Sequence, residues 1–79
     1  MDIKILGSGC NNCKKLEANV QKVLAHFPNT SATISKVTEY PDILAYGVSS
    51  TPALVVDEKV LVSGRVPSPR QLEQLLNLH

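Results

Sequence analysis

The sequence has few cysteines, no tryptophan and almost no net charge. Two cysteines in 79 residues are too few for the disulfide framework of a small secreted domain. Eight basic and seven acidic side chains nearly cancel, which argues against nucleic acid or anionic lipid as a partner. No apolar run approaches the roughly 18 residues of a membrane span, and the start at Met1-Asp2-Ile3-Lys4 lacks a signal-peptide pattern. These absences predict a cytoplasmic protein with no membrane partner.

The length predicts a single domain over residues 1–79 with a small core. A compact domain usually has on the order of 100 residues, and a chain this short hides roughly 60% of its unfolded surface on folding. That leaves no room for a deep substrate cavity or for a flavin or nicotinamide site, so we expect no organic cofactor. An apolar fraction of 43% and a charged fraction of 19% are typical of a globular protein. Size and charge are compatible with a monomer, which is the state we expect.

The first half of the chain predicts a strand, a helix and a second strand. Asp2 to Leu6 favours a strand, which the glycines of Gly7-Ser8-Gly9 terminate. Apolar residues take helical spacing from Asn12 to Phe27, and Pro28-Asn29 stops that helix. Ala32 to Val37 is rich in β-formers and predicts the second strand. A strand, helix and strand in this order favour a right-handed crossover with parallel strands.

The middle of the chain predicts a short helix and a central strand. Residues 38–42 resemble a helix start with Pro in the first turn, and Gly47 is placed to end that helix. Ile43 and Leu44 would supply its small apolar face. Ala53 to Val56 is continuously apolar, which is typical of a central strand.

The last third predicts a hairpin and a final helix. A polar turn over residues 57–59 leads to a fourth strand at Val60 to Val62, so these two strands should pair. Ser68, Pro69 and Gln71 match an N-cap, a first helical proline and a capping-box partner. The buried stripe of that helix would consist of Leu72, Leu75 and Leu76. The predicted order is β-α-β-α-β-β-α, an α/β fold.

The two cysteines lie at the start of the first helix, as Cys10-Asn11-Asn12-Cys13. Cys10 falls where unpaired backbone N–H groups and the helix dipole stabilise an anion, a position that lowers the pKa of a thiol. Cys13 lies one turn later, on the same arc as the apolar residues, and should be shielded. An exposed attacking sulfur beside a buried resolving sulfur suits two-step thiol–disulfide exchange. Lys14 adds positive charge that could tune the thiol.

Two structural interpretations of the cysteine pair stay open. A structural disulfide closing a four-residue loop would remove only about 2 kcal/mol of unfolded-state entropy. A zinc site would use Cys10, Cys13 and His26, whose spacing matches three ligands of a zinc finger. The fourth ligand should be a His near positions 30–32, where none stands, and His79 at the chain end is the remaining candidate.

Two functional alternatives also stay open. One is a soft-metal carrier of the Cu(I) type, because two thiolates suit a soft ion and residues 7–13 resemble the metal loop of heavy-metal-associated domains. Ser8 stands where those domains have Met, and this chain ends on a predicted helix rather than a strand. The other is a binding module whose cysteines are idle.

A second motif, Thr51-Pro52, directly precedes the predicted third strand. A CxxC after the first strand together with Thr-Pro before the third resembles the thioredoxin-like superfamily. Within it, the chain is similar to the small thioredoxin/glutaredoxin-like proteins of the redox-active disulfide protein 2 group. The resemblance extends over nearly the whole chain, and the segments that carry it are Ile3 to Glu17, Tyr46 to Asp57 and Ser63 to Ser68.

The resemblance implies a thioredoxin fold, in which a four-stranded mixed sheet is flanked by helices. The strand order would be second, first, third, fourth. Pro52 would be the cis-proline that lies against the active-site disulfide, and the backbone of Thr51 would pair with an extended substrate segment. Gly64 would permit close approach at the end of the fourth strand.

The resemblance also implies a function and a set of partners. Cys10 would be the nucleophile and Cys13 the resolving thiol of a thiol–disulfide oxidoreductase. It would exchange with disulfide-containing proteins or small thiols and take electrons from a thioredoxin-reductase-type or thiol donor. No metal or organic cofactor is required. We expect the remaining substrate contacts from Gly9, Asn11 and Asn12.

Overall fold

A computed structural model of the protein describes residues 1–77, and His79 lies outside the described part. It has the predicted α/β order. The elements are β1 (Asp2–Leu6), α1 (Asn11–Ala25), β2 (Thr33–Val37), α2 (Tyr40–Ala45), β3 (Ala53–Val56), β4 (Lys59–Ser63) and α3 (Pro69–Leu75).

The four strands form one mixed sheet in the order β2-β1-β3-β4. β1 pairs with β2 in parallel, whereas β3 pairs antiparallel with both β1 and β4. This confirms the order that the resemblance implied. Leu6, at the end of β1, pairs with Ala53, at the start of β3. The segments just beyond these two residues therefore meet at one edge of the sheet.

One face of the sheet packs against α1 and α3 and forms the larger core. Strand side chains alternate between the two faces, so Ile3 and Ile5 of β1 point into this core while Leu6 points away from it. Leu72 of α3 is fully buried in it. The buried members of this cluster are Ile3, Ile5, Leu16, Val20, Val23, Leu54, Val62, Leu72 and Leu76.

The opposite face of the sheet has a smaller core beneath α2. It contains Leu6, Ile43, Val48, Ala53 and Val55. Leu44 was predicted to form the apolar face of α2 together with Ile43, but its side chain is 47% exposed. The helix has only six residues, and successive side chains point about 100° apart, so burying Ile43 turns its neighbour outward. An open groove of about 600 Å³ remains beside α2, away from the cysteines.

Helix α1 ends at Ala25, earlier than the predicted Phe27. The backbone N–H groups of His26 and Phe27 donate to the carbonyl oxygens of Val23 and Leu24, three residues back, at 3.0 and 3.1 Å. Such bonds tighten the last turn and end the α-helical pattern. Phe27 still packs, half-buried, against the larger core.

The hairpin between β3 and β4 turns on two residues, Asp57 and Glu58. Both have positive φ, 49° and 68°, as the tight turn that best follows strand twist requires. Lys59, predicted as part of the turn, belongs to β4 instead. The backbone N–H of Asp2 donates to a carboxylate oxygen of Asp57 at 2.9 Å, which ties the turn to the start of β1.

Glu58 also joins a polar network over the smaller core. The Lys4 ammonium donates to one carboxylate oxygen of Glu58, and the Tyr46 hydroxyl donates to the other at 3.1 Å. Lys4 also donates to the Tyr46 hydroxyl at 2.9 Å. The hydrogen bond from Lys4, and then that from Tyr46, lowers the pKa of Glu58. The same bond to Glu58 raises the pKa of Lys4.

Candidate active site

The loop after β1 places Cys10 at the N-cap of α1. Its backbone is extended, at φ −66° and ψ 163°, while its sulfur accepts a hydrogen bond from the backbone N–H of Cys13 at 3.1 Å. Its carbonyl oxygen accepts from the backbone N–H of Lys14 at 3.0 Å, which begins the helical ladder. The residue is exposed. The sulfur therefore lies among the N–H groups that a helix start leaves unpaired.

Cys13 lies one helical turn later in a different environment. It is only 5% exposed, on the buried face of α1 with Leu16 and Val20. The two cysteines form a disulfide, with their Cα atoms 5.0 Å apart. The predicted contrast between an exposed Cys10 and a shielded Cys13 is confirmed.

Thr51 and Pro52 lie beside this loop because β1 and β3 run antiparallel. The peptide bond between them is cis, and Pro52 is buried whereas Thr51 is exposed. The backbone N–H of Gly64 donates to the carbonyl oxygen of Pro52 at 2.8 Å. A Cβ on Gly64 would lie 3.0 Å from the Cβ of Ser50, so residue 64 packs closely on this segment.

Gly7 lies between the cysteines and the Thr51-Pro52 segment. Its backbone N–H donates to the carbonyl oxygen of Val37 at 3.0 Å. A Cβ built on Gly7 would fall under 3.0 Å from the Cys13 sulfur and 3.8 Å from the Cβ of Thr51. Thr51 and the Cys13 sulfur therefore border the same small space. The sequence marked Gly7 only as a turn residue, because nothing local signals a contact with a sulfur.

A cavity of about 170 Å³ adjoins Cys13 on the side of β2. The Glu17 carboxylate and the Lys36 ammonium, which lie 3.2 Å apart, contribute to its wall. The exposed Lys14 also lines it, which places this predicted tuning residue beside the buried cysteine. Sequence reasoning missed Lys36, whose position depends on the pairing of β2 with β1.

The remaining predicted contact residues surround Cys10. Gly9 precedes it with φ at 84° and open space around its missing side chain. Asn11 and Asn12 form the first turn of α1, and both are exposed. The structure thus brings the loop and first-turn residues to the same end of the sheet as Thr51 and Gly64.

The zinc spacing noted in the sequence does not form a site. His26 caps the far end of α1, about 20 Å from Cys13 at a rise of 1.5 Å per residue. Within residues 1–77 no group of three or more Cys, His, Asp or Glu side chains is placed to hold a metal ion. His79 falls outside the described residues. In the same range, no helix has both the length and the apolar character needed to cross a membrane.

Comparison with known proteins agrees with the geometry. The family profile described as the thioredoxin domain matches residues 1–77. The chain belongs to the thioredoxin domain family. A thioredoxin of Methanothermobacter thermautotrophicus is 34% identical over 77 residues, covering 98% of this chain and 99% of the relative. A thioredoxin of Methanocaldococcus jannaschii is 31% identical over 74 residues, covering 94% of this chain and 84% of the relative.

Family membership confirms the predicted fold and the resemblance to small thioredoxin-like proteins. Assignment to the narrower redox-active disulfide protein 2 group stays a prediction. Together with a disulfide at CxxC spacing, membership supports a thiol–disulfide oxidoreductase, as the sequence predicted.

Proposed function

We propose that this thiol–disulfide oxidoreductase uses Cys10 as its attacking sulfur and Cys13 as its resolving sulfur. The observation that carries the assignment is the asymmetry of the pair. Cys10 is exposed and its sulfur accepts the Cys13 N–H, whereas Cys13 is buried beneath the loop. The Cys10 sulfur is the one accessible to a partner disulfide. Once the mixed disulfide has formed on Cys10, the Cys13 sulfur is held next to it.

The first step starts from the reduced enzyme. The Cys10 thiolate attacks one sulfur of a partner disulfide; a new sulfur–sulfur bond forms, and the partner's other sulfur leaves as a thiolate. The helix start favours the anionic form of Cys10 because its N–H groups and dipole stabilise negative charge. Lys14 adds a positive charge nearby.

The second step releases the partner. Cys13 loses its proton to solvent and attacks the Cys10 sulfur, which breaks the bond between Cys10 and the partner. The partner sulfur that was bonded to Cys10 leaves as a thiolate and takes a proton from solvent, and the Cys10–Cys13 disulfide forms. The two electrons of the dithiol have then moved to the partner. A thioredoxin-reductase-type protein or a thiol donor must return them to the enzyme.

The partner would be a protein with an accessible disulfide. Its extended segment would pair with the backbone of the exposed Thr51, over the surface of Pro52 and Gly64. Gly9, Asn11 and Asn12 would frame the other side. We place this activity in a single cytoplasmic domain over residues 1–79, acting as a monomer without metal or organic cofactor and without nucleic-acid or membrane partners.

A trapping experiment tests the assignment. Cys13→Ser removes the resolving sulfur, so mixed disulfides between Cys10 and partner proteins should accumulate on non-reducing gels and disappear with dithiothreitol. Cys10→Ser is the matched control and should trap none, because Cys13 is buried. In a purified assay with insulin as substrate, both variants should lose more than about 90% of the catalysed reduction, since each step needs its own sulfur.

Two outcomes would overturn the assignment. Trapping by Cys10→Ser but not by Cys13→Ser would reverse the two roles, and equal trapping by both variants would show that burial of Cys13 does not assign them. No trapping by either variant, together with tight Cu(I) binding by the parent protein, would favour the metal-carrier alternative. A parallel comparison of thioredoxin reductase with glutathione as reductant identifies the electron donor.

A further inference from the structure

The loop before Cys10 contains two glycines whose surroundings differ. Gly7 has φ at 154° and Gly9 has φ at 84°, both in the range that favours glycine. A side chain on Gly9 would meet nothing within 4 Å. A Cβ on Gly7 would meet the Cys13 sulfur at under 3.0 Å and the Cys13 Cβ at 3.3 Å. Backbone conformation therefore explains why both positions are glycine. Of the two, Gly7 also leaves the space that the Cys13 sulfur occupies.

We propose that Gly7 is a positioning residue whose missing side chain makes room for the Cys13 sulfur in the disulfide form. The inference rests on the proposed function, because it concerns the same cysteine pair. Gly7 itself cannot move freely, since its backbone N–H is bonded to Val37 of β2 and its neighbour Leu6 is paired with Ala53 of β3. The wall behind the sulfur is thus part of the sheet.

The contact distinguishes the two redox states. In the disulfide, the Cys13 sulfur is bonded to Cys10 and cannot withdraw from residue 7. In the dithiol, that bond is absent, and the sulfur can rotate about the Cα–Cβ bond of Cys13 to another rotamer, farther from residue 7. A methyl group at position 7 would therefore disfavour the disulfide more than the dithiol. It would also hinder the second step of exchange, when Cys13 must reach the Cys10 sulfur.

The test compares Gly7→Ala with Gly47→Ala by measuring the fraction of each protein in the disulfide form in a dithiothreitol redox buffer. In this buffer, reduced dithiothreitol transfers two electrons to the enzyme disulfide. The products are the enzyme dithiol and oxidised dithiothreitol. Gly7→Ala should shift this equilibrium toward the enzyme dithiol by about tenfold, or about 30 mV for a two-electron couple. Gly47→Ala, which adds a methyl group at a φ of 78° with nothing within 4 Å of it and outside the site, should leave the equilibrium within about twofold of the parent protein.

A kinetic measurement tests the same contact. With insulin as partner, Gly7→Ala should form the mixed disulfide on Cys10 at the parent rate but release it more slowly. Should oxidised Gly7→Ala fold poorly, the cost of Gly7→Ala to the free energy of unfolding is measured in two backgrounds, the oxidised parent protein and Cys13→Ala. The cost should be smaller in the Cys13→Ala background, where a methyl group at position 7 no longer meets a sulfur.

Identical equilibria for Gly7→Ala and Gly47→Ala, with the same cost of Gly7→Ala in both backgrounds, would overturn the proposal. The proposed function fails in a different way. In that case the parent protein would not reduce insulin at all, although the buffer equilibrium would still separate the two glycine variants.

Discussion

At the scale of single residues, the two cysteines owe their difference to a hydrogen bond and a helical turn. The Cys10 sulfur caps the helix and is exposed, whereas Cys13 is buried one turn later. No charged side chain is needed for this asymmetry. It follows from where the helix begins, which makes the first turn of α1 the chemically important part of the element.

A second residue-scale feature is the hydrogen-bonded carboxylate of Glu58. The pKa of Glu58 is lowered, so its stabilising contribution is present above the unfolded-state pKa and is lost as the pH falls through the lower folded-state pKa. Glu58→Gln should therefore reduce the free energy of unfolding more at pH 7 than at pH 3. Urea denaturation at the two pH values measures the difference.

Glu39→Gln is the control for this measurement. The Glu39 side chain is exposed and forms no ion pair within residues 1–77, so this variant should show a smaller dependence on pH. A loss for Glu58→Gln that is equal at pH 7 and pH 3 would contradict a role for the ionised carboxylate.

At the scale of elements, α3 shows how a short helix is held in place. The Ser68 hydroxyl accepts from the backbone N–H of Gln71 at 3.2 Å, and the Gln71 side chain accepts from the Ser68 N–H at 3.0 Å. This confirms the predicted capping box. With only seven residues, the helix depends on this cap and on burial of its apolar face.

Removing the cap should weaken the whole fold, because α3 covers the larger core. Ser68→Ala should lower the free energy of unfolding by about 1 kcal/mol, the typical value of an N-cap. Ser31→Ala, in an exposed segment outside helices and strands, should change it by less than about 0.5 kcal/mol. Equal effects of the two substitutions in urea denaturation would show that the cap adds nothing.

At the scale of the whole molecule, stability depends on two apolar cores of unequal size on opposite faces of the sheet. Among residues 1–77, the face against α1 and α3 buries nine cluster residues, whereas the face beneath α2 buries five. For a chain of this size, the free energy of unfolding is typically about 4–12 kcal/mol. Truncating one core side chain therefore removes a large fraction of it. The larger core is also the one that holds α1, and hence the cysteines, against the sheet.

Leu72→Ala tests that dependence. Leu72 is fully buried where α3 meets the core, and the change should cost about 2–5 kcal/mol. Leu44→Ala makes the same chemical change on the exposed side of α2 and should cost less than about 1 kcal/mol. The reduced proteins are compared by urea denaturation; similar costs for the two leucines would show that burial does not decide their contributions.

Sequence periodicity predicted most of the elements because their signals are local. The strand at Ala53–Val56, the start of α3 at Pro69 and the shielding of Cys13 all depend on residues a few positions apart. Leu44 and the end of α1 were misjudged because periodicity does not say how many turns a helix will bury. The thioredoxin strand order came from resemblance, and the sheet shows it.

The sequence by itself determined a CxxC at a helix start and the contrast between its two sulfurs, because helix geometry relates residues only three positions apart. Only the tertiary structure decided what surrounds them. Gly7 against the Cys13 sulfur, Gly64 against Pro52 and Lys36 near Glu17 depend on which strands pair and in which register. Strand pairing joins residues that are distant in the chain, and a local pattern of polarity does not specify which distant side chains meet.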